Sequence, residues 1–265
     1  MTKYLREYHL IEVSTVSVHN SLRKTDRRTG RSKLRVGSPD PDYVVKRDRV
    51  NEVQNLALQG QLTSAATELI VPDKQLIVPD KQLVRLGYPE IVIPRLRGRL
   101  FYFDEANLSL CPQTGRVYRV VGEEYKVDSP GNNITSYILG SVLYPSGNGL
   151  YEIYPHKTNK EVQTHWQHLL DMCPGDFLFV VRDNASQHVT PKLDSFLIAN
   201  RSRLCLVPLP THSPHLNLIE RLWHYMRDKI TRSHFSGTFK LLCEKVVAWL
   251  RDLPFERFCS LLGVP

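Results

Sequence analysis

DFLFVVRDN, residues 176–184, is the stretch on which the fold turns. Phe177 to Val181 are apolar without interruption, so an extended chain here has no polar face. Such a run is expected of a strand buried on both sides of a sheet. It stops abruptly at Arg182, Asp183 and Asn184. Working outward, TNKEVQTHWQHLLD (158–171) has helical character, residues 190–200 suggest a second helix, and LCLVPL (204–209) reads as another strand. Upstream, LFYF (100–103) reads as a strand ending at Asp104. Residues 116–121, 134–143 and 150–154 read as further strands, joined by turns such as SPGN and PSGNG. Helices are expected over about 217–230 and 238–252. Hairpin-connected strands followed by alternating helix and strand predict an α/β fold, a mixed sheet flanked by helices.

Around this core the chain is less regular. Residues 1–50 carry twelve Lys/Arg against six Asp/Glu, so most of the net charge of +8 lies there. The excess is densest in SLRKTDRRTGRSKLRV (21–36), which points to a polyanionic partner or to a solvated linker. Two short helices, 2–9 and 15–24, precede it and outline a small helix-turn-helix reader. Residues 1–40 are therefore read as a partial helix-turn-helix and basic linker. Residues 41–99 are read as a helix plus an insertion, 100–252 as the α/β domain, and 253–265 as a C-terminal tail. The insertion holds LIVPDKQ twice in tandem, at 69–75 and 76–82; a proline in each copy argues against a coiled-coil heptad. Five scattered cysteines without a C-x-x-C pair disfavour disulfide frameworks and structural zinc. With no apolar run near membrane-spanning length, the expectation is a cytoplasmic protein.

Chemistry is concentrated in a few acids. Asp104 and Asp183 each follow an apolar strand, at the rim where sheets of this class build their sites. If the two strands are neighbours, both carboxylates can share a hard divalent cation. Each aspartate alone is equally a turn former. Glu105 points to the opposite face if its strand persists. Glu220 opens a helix whose apolar stripe includes Leu216, Ile219, Leu222, Trp223 and Met226. It also fits an N-x-x-E capping box with Asn217, a purely structural role. His165 with His168, and His212 with His215, invite a zinc reading, but no nearby cysteine completes a four-ligand set.

Taken in order, FYFDE (101–105), VVRDNASQH (180–188) and LVPLPTHSPHLNLIERLW (206–223) resemble the DDE domain of mariner-superfamily transposases, and most of all the bacterial insertion-sequence branch. The resemblance covers about residues 100–252, and residues 1–60 more loosely. It departs from the family's pattern at His212, where an aromatic is usual, and at Leu218, where proline is usual. It implies an RNase H-like mixed five-stranded sheet with helices on both sides, and a small helical DNA-binding segment at the N-terminus. It implies Asp104, Asp183 and Glu220 as catalytic and metal-binding residues holding two Mg²⁺ ions, with Mn²⁺ able to substitute. Glu105, Asn184 and His188 would stand behind them or face phosphate. His19, Asn20 and Arg23 would contact a groove, and Lys24, Arg27, Arg28, Arg31, Lys33 and Arg35 would bind phosphates. The implied partners are double-stranded DNA, as transposon terminal inverted repeats and target, and a second copy of the chain as a homodimer. The implied activity is end cleavage and strand transfer. A decayed or domesticated DNA-binding protein, and an RNase H-fold nuclease without strand transfer, remain as alternatives.

Overall fold

A computed structural model describes residues 37–69, 94–114, 126–185, 191–232 and 234–264, with Ser17 and Glu124 besides. Two compact units divide the chain, Met1–Gly37 and Ser38–Pro265. The helices and basic cluster expected within 1–36 lie outside the described residues, as do the strand expected at 116–121 and nearly all of the tandem repeat.

Within the second unit, five strands form one sheet: β1 (Gly98–Ser109), β2 (Thr135–Tyr144), β3 (Gly149–Tyr154), β4 (Phe177–Arg182) and β5 (Leu204–Pro208). Their spatial order is β3-β2-β1-β4-β5. β1, β2 and β3 pair antiparallel, and β4 and β5 add on in parallel. This is the RNase H-like mixed sheet expected from the sequence. The parallel strands need covered crossovers, and the chain supplies α2 (Asn159–Met172) and α3 (Pro191–Ala199). The helix α1 (Tyr43–Leu58) precedes the sheet; α4 (Ile219–Met226), α5 (Phe239–Arg251) and α6 (Phe255–Leu262) follow it.

Strand alternation sorts side chains into two cores. On β1, Leu100, Tyr102, Ala106 and Leu108 join one core, and Phe101 and Phe103 the other. On β4, Phe177, Phe179 and Val181 face the first core, and Leu178 and Val180 the second. The first core is covered by α1 through Val50 and Val53, by α4 through Ile219, Leu222 and Trp223, and by α5 and α6. The second is covered by α2 through Val162, Trp166 and Leu169, and by α3 through Leu193 and Phe196. Asp176 ties the starts of β1 and β4 together by accepting from Arg97 at 2.9 Å and from Arg99.

Several boundaries differ from the sequence reading. β1 does not end at Asp104; it continues to Ser109, because its antiparallel ladder with β2 persists through Asp104↔Gly140. The helix expected over about 217–230 is found from Ile219 to Thr231, but only α4 is α-helical and Arg227–Thr231 continue it as π-helix. The stretch read as a C-terminal tail contains α6, whose Phe258 and Leu262 are buried in the first core. Phe255, Phe258 and Leu262 recur at helical spacing after Pro254, and Gly263 closes the helix at φ 68°. Among the described residues no helix is long and apolar enough to cross a membrane.

Of the histidines that invited a zinc reading, His165 and His168 instead fasten α2 to the sheet. Fully buried His165 contacts Ser141 Oγ through Nε2 at 2.9 Å and Glu152 through Nδ1 at 2.6 Å. His168 reaches the other Glu152 oxygen at 2.7 Å. Burial pushes the His165 ring below its ordinary value, so a neutral ring donates to Glu152 and accepts from Ser141. Burial alone would raise the Glu152 carboxyl, but the hydrogen bonds from His165 and His168 outweigh it and hold it at about 2. A depressed carboxyl stabilises the fold above its ordinary value of 4.5, and that contribution is lost as pH falls towards 2. Glu152→Gln is expected to cost about 2 kcal/mol at neutral pH, measured by denaturant unfolding, with the gap narrowing steadily in acid. A gap independent of pH would refute this account.

Candidate active site

Strand parity decides which acids meet. Asp104 follows Tyr102 on the α4-covered face of β1, and Asp183 follows Val181 on the same face of β4. Glu105 and Arg182 fall on the opposite face. The parallel register between β1 and β4 stops at Tyr102↔Val181, while β1 continues against β2. Asp104 and Asp183 therefore stand just beyond a fork where the two strands no longer pair. Glu220 enters from the first turn of α4, the helix packed over that face.

The three carboxylates line one cavity of about 340 Å³, shared with Asn184, Leu209, Pro210, His212 and Asn217 among others. Asp104 is 7% exposed. Burial, then the charges of Glu220, Glu105 and Asp183, drive its carboxyl well above the usual range. Asp183 is half-buried, and its Oδ1 accepts from the Ala185 amide at 3.0 Å. Behind it, fully buried Arg182 donates Nη1 to the Asp183 carbonyl oxygen at 2.6 Å. Asn184 donates Nδ2 to the Leu209 carbonyl at 2.8 Å, joining the β4 end to the loop after β5.

The capping box expected at α4 does not form. Leu218 occupies the cap position without a side-chain hydrogen bond. The Asn217 side chain turns inward instead, and its Nδ2 donates to the Phe103 carbonyl at 3.0 Å, one residue before Asp104. Glu220 is thus freed from a capping role and faces the cavity.

Part of the cavity wall was not foreseen. The loop Pro210–Pro214 closes one side, with His212 in left-handed backbone conformation at φ 54°. Asp40, near the start of the second unit, accepts from the Thr211 amide at 2.9 Å and from Lys46 at 3.0 Å, holding this loop in place. No periodicity connects residues 171 positions apart, so sequence carries no signal for that contact. Glu105 does not line the cavity. His188 and the expected DNA contacts at His19, Asn20, Arg23, Lys24, Arg27, Arg28, Arg31, Lys33 and Arg35 lie outside the described residues.

The three carboxylates offer oxygen donors, the kind preferred by hard divalent cations. Three acids, Glu220, Glu105 and Asp183, act on the buried Asp104, a field that a cation would neutralise. Among the described residues, no three His, Cys, Asp or Glu side chains are grouped so that they could hold a metal ion. The carboxylates share the cavity but, as they stand, are not grouped to hold one ion between them.

Comparison with known proteins places this arrangement. A family model described as DDE superfamily endonuclease matches residues 99–243. The insertion element IS630 uncharacterized 39 kDa protein of Shigella sonnei is 28% identical over 152 residues, covering 56% of this chain and 43% of that protein. The chain therefore spans less than half the length of that relative. The uncharacterized protein y4pE/y4sA of Sinorhizobium fredii is 32% identical over 125 residues, 46% of this chain and 89% of that protein. Among solved structures, the Mos1 mariner paired-end complex with Mn shares the fold at a TM-score of 0.60 and 13% identity, over 99% of this chain and 70% of that one. Since the matched segment takes in more than half of the chain, and Asp104, Asp183 and Glu220 with it, the protein belongs to the DDE superfamily endonucleases.

Proposed function

We propose that this chain is a transposase that cleaves DNA at transposon ends and joins them to target DNA, using Asp104, Asp183 and Glu220 as its catalytic, ion-holding carboxylates. The observation that carries the reading is the convergence of three acids, from two strands and a helix, on one cavity at the fork between β1 and β4. The insertion-element relative and the Mos1 transposase complexes, solved with transposon ends and with Mg or Mn, support it.

Two divalent ions, Mg²⁺ or Mn²⁺, would supply activation of an attacking oxygen and stabilisation of the leaving one. Asp104 would hold them from within β1 and Asp183 from just past the end of β4, with Glu220 completing the set from α4. Asn184 braces the loop that bounds the cavity. Water would attack the phosphodiester at the transposon end, breaking the P–O3′ bond on one strand and freeing a 3′-hydroxyl. That hydroxyl would attack a target phosphodiester in the same cavity, forming the new P–O bond as the target's own P–O3′ bond breaks and its 3′-hydroxyl leaves, so no covalent enzyme intermediate is needed. The basic segment within residues 1–40 would bind the terminal repeats, with His19, Asn20 and Arg23 towards a groove and the flanking cations on phosphates. A homodimer would hold two ends together, and residues 100–252 would form the catalytic domain. His188 would face phosphate, and Glu105 would act on the site only through its charge.

The test is incubation of the full chain with labelled terminal-repeat DNA and a supercoiled target plasmid in Mg²⁺. Labelled ends joined to plasmid, and lost on adding EDTA, are expected. Metal-dependent nicking without joining would reduce the protein to a nuclease. Binding without any metal-dependent chemistry would make it a DNA-binding derivative.

A further inference from the structure

We infer that Gly140 and Asn217 are positioning residues: together they set how close Glu220 comes to Asp104. The inference rests on the reading of these acids as ion ligands.

Gly140 lies directly opposite Asp104 in the β1–β2 ladder. A glycine in the middle of a sheet is a poor strand former and often marks a close approach by another element. Gly140 is not among the glycines with positive φ, so space rather than backbone conformation explains it. A Cβ at this position would lie 2.5 Å from Trp223 Cη2, 2.6 Å from Trp223 Cζ2 and 3.1 Å from Ile219 Cδ1. These side chains flank Glu220 on α4 and form its buried face. Trp223 cannot easily yield, being 1% exposed and set edge-on against Tyr151 with ring centroids 6.2 Å apart. The missing side chain at 140 therefore lets the first turn of α4 rest on the sheet beside Asp104.

Asn217 is the second anchor. It is 2% exposed, and its Nδ2 binds the carbonyl of the residue before Asp104. Its Oδ1 is buried with no hydrogen-bond partner among the described residues. Leaving an acceptor unsatisfied is unfavourable. The side chain is held where it fixes α4 to β1, not where its own hydrogen bonding is best. Asp104 is thus bracketed, by Gly140 across the ladder and by the Phe103 carbonyl behind it, and both contacts lead to α4. Ion sites require ligands held to roughly 0.5 Å, so a small lift of this helix is enough to spoil one.

Mn²⁺ binding to the full chain, followed by electron paramagnetic resonance alongside thermal melting, tests this. Gly140→Ala is expected to weaken Mn²⁺ binding by roughly 10–100-fold, as does loss of groups that orient metal ligands elsewhere. Trp223→Phe removes the Cζ2 and Cη2 atoms that the new methyl would strike. The double variant Gly140→Ala/Trp223→Phe should regain most of the lost affinity even if its melting temperature stays low. A merely structural glycine would lower the melting temperature and leave the affinity of the folded protein unchanged, which would overturn the inference. Should Gly140→Ala not fold, Asn217→Ala carries the same test, with the same expected weakening and the same overturning result. Equal binding by wild type and variants overturns this inference alone. Absence of Mn²⁺ binding by the wild type overturns the ion-ligand reading as well.

Discussion

Asp104→Asn is expected to abolish DNA end cleavage while raising the melting temperature of the metal-free protein. The two effects have one cause. Asp104 is 7% exposed, and its carboxyl is driven far above its ordinary value of 3.8 by burial and by the neighbouring acids Glu220, Glu105 and Asp183. An acid raised in the folded state favours folding at low pH and opposes it as pH rises past its unfolded value. At neutral pH Asp104 is therefore a net burden on the empty fold. Asparagine keeps the shape and removes the charge. Relief of about 1 kcal/mol would shift the melting temperature by roughly 2–4 °C for a domain of this size. Loss of a carboxylate from the proposed ion site should lower cleavage by roughly a thousandfold or more, about 4 kcal/mol of barrier. Added Mg²⁺ should stabilise the wild type and not the variant. Calorimetry in EDTA and in Mg²⁺, beside a cleavage assay, reads all three. A variant that cleaves normally would remove Asp104 from the chemistry, and one that melts lower in EDTA would contradict the electrostatic account.

The largest effect on stability is expected at the other face. Trp166 on α2 is fully buried and meets Phe103 edge to face, with ring centroids 5.5 Å apart at 68°. Around it lie Val162, Leu169, Leu178 and Val180. Trp166→Ala should cost about 3–5 kcal/mol, because the lost burial is compounded by a cavity that rigid strands cannot close. That is a large share of the roughly 5–15 kcal/mol that stabilises a typical domain. Denaturant unfolding should show a lower midpoint with little change in slope. A loss below about 1 kcal/mol would mean that the second core is not packed as described.

What local chemistry could specify was readable from the residues alone. The apolar run Phe177–Val181 implied a strand covered on both faces, and the hairpin turns before it implied antiparallel pairing, since both depend on neighbours a few residues away. Period-two alternation separated Asp104 from Glu105, and the long block containing Glu220 carried most of the family resemblance. The stripe Phe255, Phe258 and Leu262 was equally local, and reading 253–265 as a tail overlooked it.

Other features depended on which distant groups came together. Asn217 reads as a helix cap, yet Phe103, more than a hundred residues earlier, offered its side chain a buried carbonyl instead. β1 was expected to stop at Asp104, but a partner strand beyond the acid kept it extended. Gly140 looks like a weak point in a strand until Trp223 is found lying against it. Sequence pointed to most of the strands, the sheet's mixed character and the candidate acids, because burial and backbone hydrogen bonding select residues by local pattern. Only the tertiary structure decided that those acids share a cavity, because closeness between segments is settled by packing, and packing leaves no periodic mark on the chain.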